Sequence, residues 1–185
     1  SPFRENKFKD RVNLVRSKFN EIKIPFLYCN LVGAQDELVF DGSSFALDKN
    51  GNCISHCKSF EEDILYTDLA SHSTKHIKYA TKCEDLFNAL CLGIKDYFEK
   101  TKNKEAVIGL SGGIDSAVVA CIASYALGNK SVYGVSMPSK FSSEHSKFDA
   151  EELAKNLNIN YQSISIQNIV DKLEEELSES FSGTS

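Results

Sequence analysis

Near the middle of the chain an apolar triplet, Ala106-Val107-Ile108, runs into Gly109-Leu110-Ser111-Gly112-Gly113-Ile114-Asp115-Ser116, and residues 117–127 after it are apolar almost throughout. This pattern predicts a short strand, a glycine turn and a helix buried against a sheet, with Gly128 as the stop. Gly112 and Gly113 remove two side chains, so the backbone can turn sharply and approach a phosphate closely. The helix that follows offers N–H groups without intrahelical partners and the positive end of its dipole, and Ser111 and Ser116 add hydroxyls. Asp115 would repel a phosphate unless a Mg²⁺ ion bridged carboxylate and phosphate oxygens. The loop is not G-x-x-x-x-G-K-[ST], which needs a Lys on the outer phosphates, nor G-x-G-x-x-G. Gly-Gly alone is equally at home in a plain strand-to-helix turn. The whole string in this setting predicts a phosphate cradle over residues 109–116, with Asp115 as the Mg²⁺ ligand.

Alternation surrounds the loop. Leu86, Phe87, Leu90, Cys91, Ile94 and Phe98 mark an amphipathic helix before it. After it come a strand at 132–135, a helix carrying Ala150, Leu153, Ala154 and Leu157, a strand at 161–166, and a last helix through Ile169, Val170, Leu173 and Leu177. Strand–helix alternation implies a parallel sheet with helices on its faces. The amino-terminal portion reads differently. Phe8, Val12, Val15 and Phe19 make one helical stripe within residues 7–21, ended by Pro25, and Phe26-Leu27-Tyr28-Cys29 reads as a buried strand. The polar stretch Ala34-Gln35-Asp36-Glu37 leads to Leu38-Val39-Phe40, and strands at 43–47 and 53–56 flank the turn at 48–52. Residues 57–81 lose periodicity and read as a connection, with Ile64-Leu65-Tyr66 as one short strand.

Composition excludes some roles. Among 185 residues, 42% are hydrophobic and 25% charged, with a net charge of −5. The scattered basic residues argue against a non-specific nucleic-acid binder. Nothing approaches the roughly 18 consecutive apolar residues of a membrane span. The start, Ser1-Pro2-Phe3-Arg4-Glu5-Asn6-Lys7, has neither a signal-peptide core nor an initiator Met, and suggests a chain that begins partway through a longer one. Cys29, Cys53, Cys57, Cys83, Cys91 and Cys121 form no C-x-x-C pair, so they are expected to be reduced, mostly buried residues of a cytoplasmic protein.

The loop resembles the PP-loop of the ATP pyrophosphatases, enzymes that adenylate a carbonyl oxygen and release pyrophosphate. That superfamily includes synthetases for NAD, GMP, asparagine and argininosuccinate, and several tRNA-modifying enzymes. Two other segments narrow the resemblance. Met137-Pro138-Ser139-Lys140-Phe141-Ser142-Ser143-Glu144-His145-Ser146, followed by Asp149-Ala150-Glu151-Glu152-Leu153-Ala154, is similar to the NAD synthetase pattern M-P-S-[RK]-[YF]-S-S-x-x-S with D-A-x-x-L-A. There Met137 could cover an adenine face and Ser139 line the ATP site; the same residues also suit a strand-end turn with Ser142 or Ser143 as a helix N-cap. Residues 28–45, from Tyr28-Cys29-Asn30 through Gln35-Asp36-Glu37-Leu38-Val39-Phe40-Asp41-Gly42 to Phe45, resemble the nitrilase-like glutaminase domain of the glutamine-dependent NAD synthetases.

That resemblance implies an α/β architecture in two parts: the C-terminal piece of a nitrilase-like αββα sandwich over residues 1–68, a linker over 69–81, and over 82–185 the first half of a parallel-sheet, Rossmann-like domain of the adenine-nucleotide α-hydrolase type. It implies ATP with Mg²⁺, deamido-NAD and glutamine or its ammonia as reactants, a homo-oligomeric parent enzyme, and neither nucleic acid nor membrane as partner. It places Ser1 and Lys7 on substrate glutamine, although Lys7 is otherwise an ordinary lysine at a helix start. The glutaminase Cys, Glu and Lys are expected upstream of Ser1, and the deamido-NAD contacts beyond Ser185, so the fragment alone is expected to be inactive. Cys29 lies in an apolar strand without a surrounding motif and is not expected to be a nucleophile. Two other readings stand beside this one: another PP-loop enzyme, and a non-catalytic nucleotide-binding module.

Overall fold

The computed structural model describes residues 1–19, 22–70, 75–77 and 79–178. They form two compact units, Ser1–Thr101 and Lys102–Ser185.

In the first unit, helix α1 (Lys7–Lys18) lays its stripe on an antiparallel sheet of β1 (Phe26–Tyr28), β4 (Phe45–Leu47) and β5 (Cys53–His56), in the order β1-β4-β5. Val12, Phe45, Leu47 and Cys53 are buried together, with Phe8, Val15, Phe19 and Tyr28 packed around them. All four stripe residues therefore face the core, as their 3-4 spacing predicts. Asp48 closes the β4–β5 turn by accepting the N–H groups of Asn50 and Asn52, each at 2.8 Å. β1 is a strand but not a buried one: Leu27 is 60% exposed, because β1 is an edge strand and presents that residue away from α1.

The polar stretch at 34–37 is more ordered than its composition suggests. Ala34 and Gln35 end strand β2 (Val32–Gln35), Asp36 and Glu37 turn the chain, and β3 (Leu38–Asp41) returns antiparallel with Gln35 opposite Leu38. Asp36 takes the left-handed φ of 51° that the two-residue turn demands. Helix α2 (Lys82–Thr101) packs on this hairpin. Its Asp96 carboxylate accepts the Ala34 N–H at 2.7 Å, while Lys100 donates to the Ala34 carbonyl and pairs with Asp96 at 3.3 Å. Two side chains thus satisfy the edge peptide of β2 as a neighbouring strand would. By packing, α2 groups with the first unit. Residues 64–66 form no strand; Ile64 and Tyr66 are exposed, and no neighbouring strand pairs with them.

The second unit repeats strand and helix: β6 (Ala106–Gly109), α3 (Ile114–Leu127), β7 (Val132–Ser136), α4 (Glu144–Leu157), β8 (Asn160–Ser163) and α5 (Gln167–Leu177). The sheet is parallel in the order β6-β7-β8. α3 and α4 share one core of Leu110, Ala120, Ala123, Val132, Ala150, Ala154 and Ile159. Four alanines in that core let both helices approach the strands closely. α3 is less enclosed than its apolar run predicts, with Val118, Val119 and Tyr125 exposed, because the sheet covers one side of it only. β8 stops at Ser163, since residues 164–166 turn to start α5: the Ile164 and Ile166 N–H groups donate to the Ser136 and Pro138 carbonyls.

None of the six cysteines is in a disulfide among the described residues, and two of them, Cys53 and Cys91, are buried; Cys29 and Cys83 are exposed, a correction to the expectation that most lie inside. No described helix is long and apolar enough to cross a membrane.

Replacing Asp96 with Ala removes one acceptor from a helix–hairpin contact and leaves the Ala34 N–H without it. The expected loss is about 1–2 kcal/mol of stability by urea unfolding, with faster hydrogen exchange at the Ala34 amide than at its neighbours in β3.

Candidate functional site

The loop begins inside the sheet. Leu110 is buried, its N–H donates to the Val135 carbonyl at 2.8 Å, and its side chain fills the space over Gly134. A β-carbon on Gly134 would stand 2.5 Å from Leu110 Cδ1, so β7 needs glycine there to seat the loop's anchor. Beyond Leu110 the chain leaves the carboxyl end of β6. Gly112 has φ +80°, and Gly113 serves as N-cap of α3 with no side chain capping the helix. The amides of the first turn are left facing outward for a ligand.

Two hydroxyls fix the loop's shape. Ser116 Oγ donates to the Gly113 carbonyl at 3.0 Å and accepts the Ser111 N–H at 3.3 Å; Ser111 Oγ lies 3.1 Å from it and accepts the Gly113 N–H at 3.2 Å. Ser111 and Ser116 therefore serve first as braces, a role that the expectation of phosphate donors did not disclose. The far wall is α4. A β-carbon on Gly112 would lie 2.2 Å from the Ser146 carbonyl oxygen. Ser143 caps α4 by accepting the Ser146 N–H at 3.1 Å, so the capping half of the two readings of this segment holds. Sequence reasoning missed the Gly112–Ser146 contact and the Leu110–Gly134 fit, since both join residues distant in the chain.

Met137 leaves the end of β7 half-exposed, with its Cε 3.7 Å from where a β-carbon on Gly109 would stand. The structure thus brings Met137 to the loop. Ser139 is engaged in its own turn: its Oγ accepts the Phe141 N–H at 3.3 Å and its N–H donates to Ser142 Oγ at 3.1 Å. Ile114 and Asp115 lie exposed in the first turn of α3. Among the described residues no three His, Cys, Asp or Glu side chains gather to hold a metal. One exposed carboxylate is nevertheless a fitting donor for Mg²⁺, which takes one or two carboxylates and completes its octahedron with water and phosphate oxygens.

Ser1 and Lys7 lie in the first unit. The Ser1 nitrogen donates to Asn30 Oδ1 at 2.7 Å. Lys7 begins α1 and lines a cavity of about 220 Å³ with Phe3, Tyr79, Asp41 and Asp85. Burial, then the nearby Asp41 and Glu84, push the Asp85 carboxyl above its ordinary range. Burial likewise pushes up the thiols of Cys53, Cys57 and Cys91, which disfavours the reactive thiolate at those positions.

A parallel sheet with helices packed on it, and a glycine loop leading from a strand's carboxyl end to an uncapped helix, defines a nucleotide-binding α/β domain. Comparison with known proteins makes this specific. The family model described as NAD synthase matches residues 86–184, and the chain belongs to that family. A glutamine-dependent NAD(+) synthetase of Synechocystis sp. is 43% identical over 172 residues, covering 90% of this chain and 31% of its own length. One of Thermotoga maritima is 35% identical, covering 99% and 38%. The solved glutamine-dependent NAD+ synthetase of Acinetobacter baumannii in complex with ADP superposes with a TM-score of 0.90 at 30% identity, over 100% of this chain and 36% of that one. The chain therefore spans about a third of the length of these relatives.

Gly112→Ala should drive a β-carbon into the α4 backbone and force a left-handed φ on a residue that resists it, at a cost of about 1–3 kcal/mol. The expected outcome is a lowered Tm by thermal unfolding, with the loss confined to the second unit.

Proposed function

We propose that this chain is the middle of a glutamine-dependent NAD synthetase, joining part of its glutaminase domain (residues 1–68) through a linker (69–81) to the start of its synthetase domain (82–185). The observation that carries the proposal is the Ser111–Ser116 loop, braced at the carboxyl edge of β6, in a chain whose relatives match across both units. α2 then opens the synthetase domain while resting on the β2–β3 hairpin.

In the reaction, a carboxylate oxygen of deamido-NAD attacks the α-phosphorus of ATP and pyrophosphate leaves. Ammonia released from glutamine attacks the resulting acyl-adenylate, AMP leaves with the bonding electrons, and the amide of NAD remains. The first-turn amides of α3 hold the outer phosphates, and the helix dipole opposes charge building on pyrophosphate. Met137 covers an adenine face, and Ser139 shapes the turn beside it. Bound Mg²⁺ would supply charge neutralisation between phosphate oxygens, and Asp115 is the residue that would hold it. Ser1 and Lys7 contact glutamine. Six free cysteines suit the reducing cytoplasm.

The reading is tested in the full enzyme by following NAD, AMP and pyrophosphate from deamido-NAD, ATP and glutamine. Absence of turnover with deamido-NAD would end it. Asp115→Asn is expected to lower kcat about a hundredfold or more and to weaken the Mg²⁺ dependence; unchanged pyrophosphate release would remove Asp115 as the metal ligand.

A further inference from the structure

Asn30 and Asp41 stand in the segment that resembles the glutaminase domain, and neither has a role in the reaction as described. The structure joins them in one polar chain. Arg11 and Asp41 form an ion pair with both side chains almost wholly buried, at 6% and 4% exposure. Each of the three Arg11 nitrogens has an acceptor. Arg11 Nη2 donates to Asp41 Oδ2, Nη1 to the Gly42 carbonyl at 3.4 Å, and Nε to the Lys7 carbonyl at 3.4 Å. Its guanidinium carbon lies 5.9 Å and 5.7 Å from the ring centroids of Phe8 and Tyr28. Asp41 Oδ1 accepts Asn30 Nδ2 at 3.1 Å, and Asn30 Oδ1 accepts a hydrogen from the Ser1 nitrogen, a terminal amine here and a peptide N–H in a longer chain, at 2.7 Å. Asn30 is held from its backbone as well, its N–H donating to Ser44 Oγ at 3.0 Å.

We infer that the buried Arg11–Asp41 pair, acting through Asn30 on one side and directly on the other, is the positioning device for the two glutamine-contacting residues, Ser1 and Lys7. This rests on the proposed glutamine contacts. Stability alone gives no reason for such a pair, because apolar residues of similar volume often serve as well in an interior. Direction does. A carboxylate only accepts hydrogen bonds, so Asp41 forces the Asn30 amide to turn its NH₂ inward and its oxygen toward Ser1. The planar guanidinium, fixed between two rings, forces Nε toward the Lys7 carbonyl at the first turn of α1. One ion pair therefore sets the orientation at Ser1 and the start of the helix at Lys7, two points six residues apart in the chain. Phe3 reinforces the segment between them by donating its N–H to the Val39 carbonyl at 2.6 Å. These are positioning residues: they touch the groups that touch substrate.

The test uses the full enzyme and compares glutamine-driven with ammonia-driven NAD formation, the second of which bypasses the glutamine site and reports whether the fold is intact. Asn30→Asp sets a second acceptor against Asp41, and is expected to raise KM for glutamine about ten- to a hundredfold while KM for ammonia stays unchanged. Should Asn30→Asp fail to fold, Asn30→Ala removes the link without adding charge and carries the same expectation. A glutamine KM unmoved by the Asn30 variants, or an ammonia KM that rises with it, overturns the positioning role. Ser1→Ala separates the two levels: if it leaves glutamine KM unchanged, the contact reading itself falls, whereas an effect of Ser1→Ala without one at Asn30 sinks only this inference.

Discussion

The second unit turns on one close approach, the backbone of Gly112 against the backbone of Ser146. No side chain can stand between them, so the loop and the first turn of α4 form a single surface. For that approach to happen α4 must sit low on the sheet, and Ala150 and Ala154 allow it. The loop must also leave β6 at a fixed height, which Leu110 sets by hydrogen bonding to Val135 and filling the space left by Gly134. Four positions without bulk and one buried leucine therefore aim the α3 amides. The hydroxyl braces at Ser111 and Ser116 then need only hold a shape that packing has already chosen.

The first unit solves a comparable problem with charge. Its apolar core under α1 is small, and the hairpin and α2 are attached by polar contacts: Asp96 and Lys100 to one peptide of β2, Arg11 and Asp41 to the ends of β3 and α1. Polar attachments of this kind are directional, and they lose their worth if any partner moves. The consequence is that segments distant in sequence are held in register where few hydrophobic contacts could do so.

Much of this was legible in the sequence, for physical reasons that differ by element. The α1 stripe and the strand–loop–helix unit follow from periodicity and glycine placement, which are local. Ser143 as the cap of α4 follows from side-chain chemistry next to a helix start. β2 was hidden because Ala34, Gln35 and the turn Asp36-Glu37 look polar, and only pairing with β3 and the Asp96–Lys100 clamp make them a strand. The exposure of β1 was hidden because an apolar triplet reads alike on an edge and in a centre. At the site, the turn from β6 into α3 was legible from its string, whereas Ser146 contributes a backbone carbonyl, and a backbone group leaves no mark on residue identity.

The distribution of charge around the loop explains why an aspartate belongs in it. A triphosphate needs compensation, and a lysine in the loop would give it, but none is there. Lys140 on the turn after β7 and Lys147 on α4 each have acidic partners. Lys140 pairs with Glu174 at 2.5 Å and with Asp171 at 4.0 Å, drawing α5 to the turn after β7, and Lys147 pairs with Glu144 at 2.7 Å. Within this chain the α3 amides offer a partial charge equivalent to about half an elementary charge. On the proposed reading that falls well short of a triphosphate, and a divalent cation arriving with the nucleotide would add to it, anchored on the exposed Asp115 carboxylate one residue into α3 without disturbing the amides beside it. Asp115 would be a liability in a loop that bound phosphate through lysine; beside a bound divalent ion it would fit the proposed site.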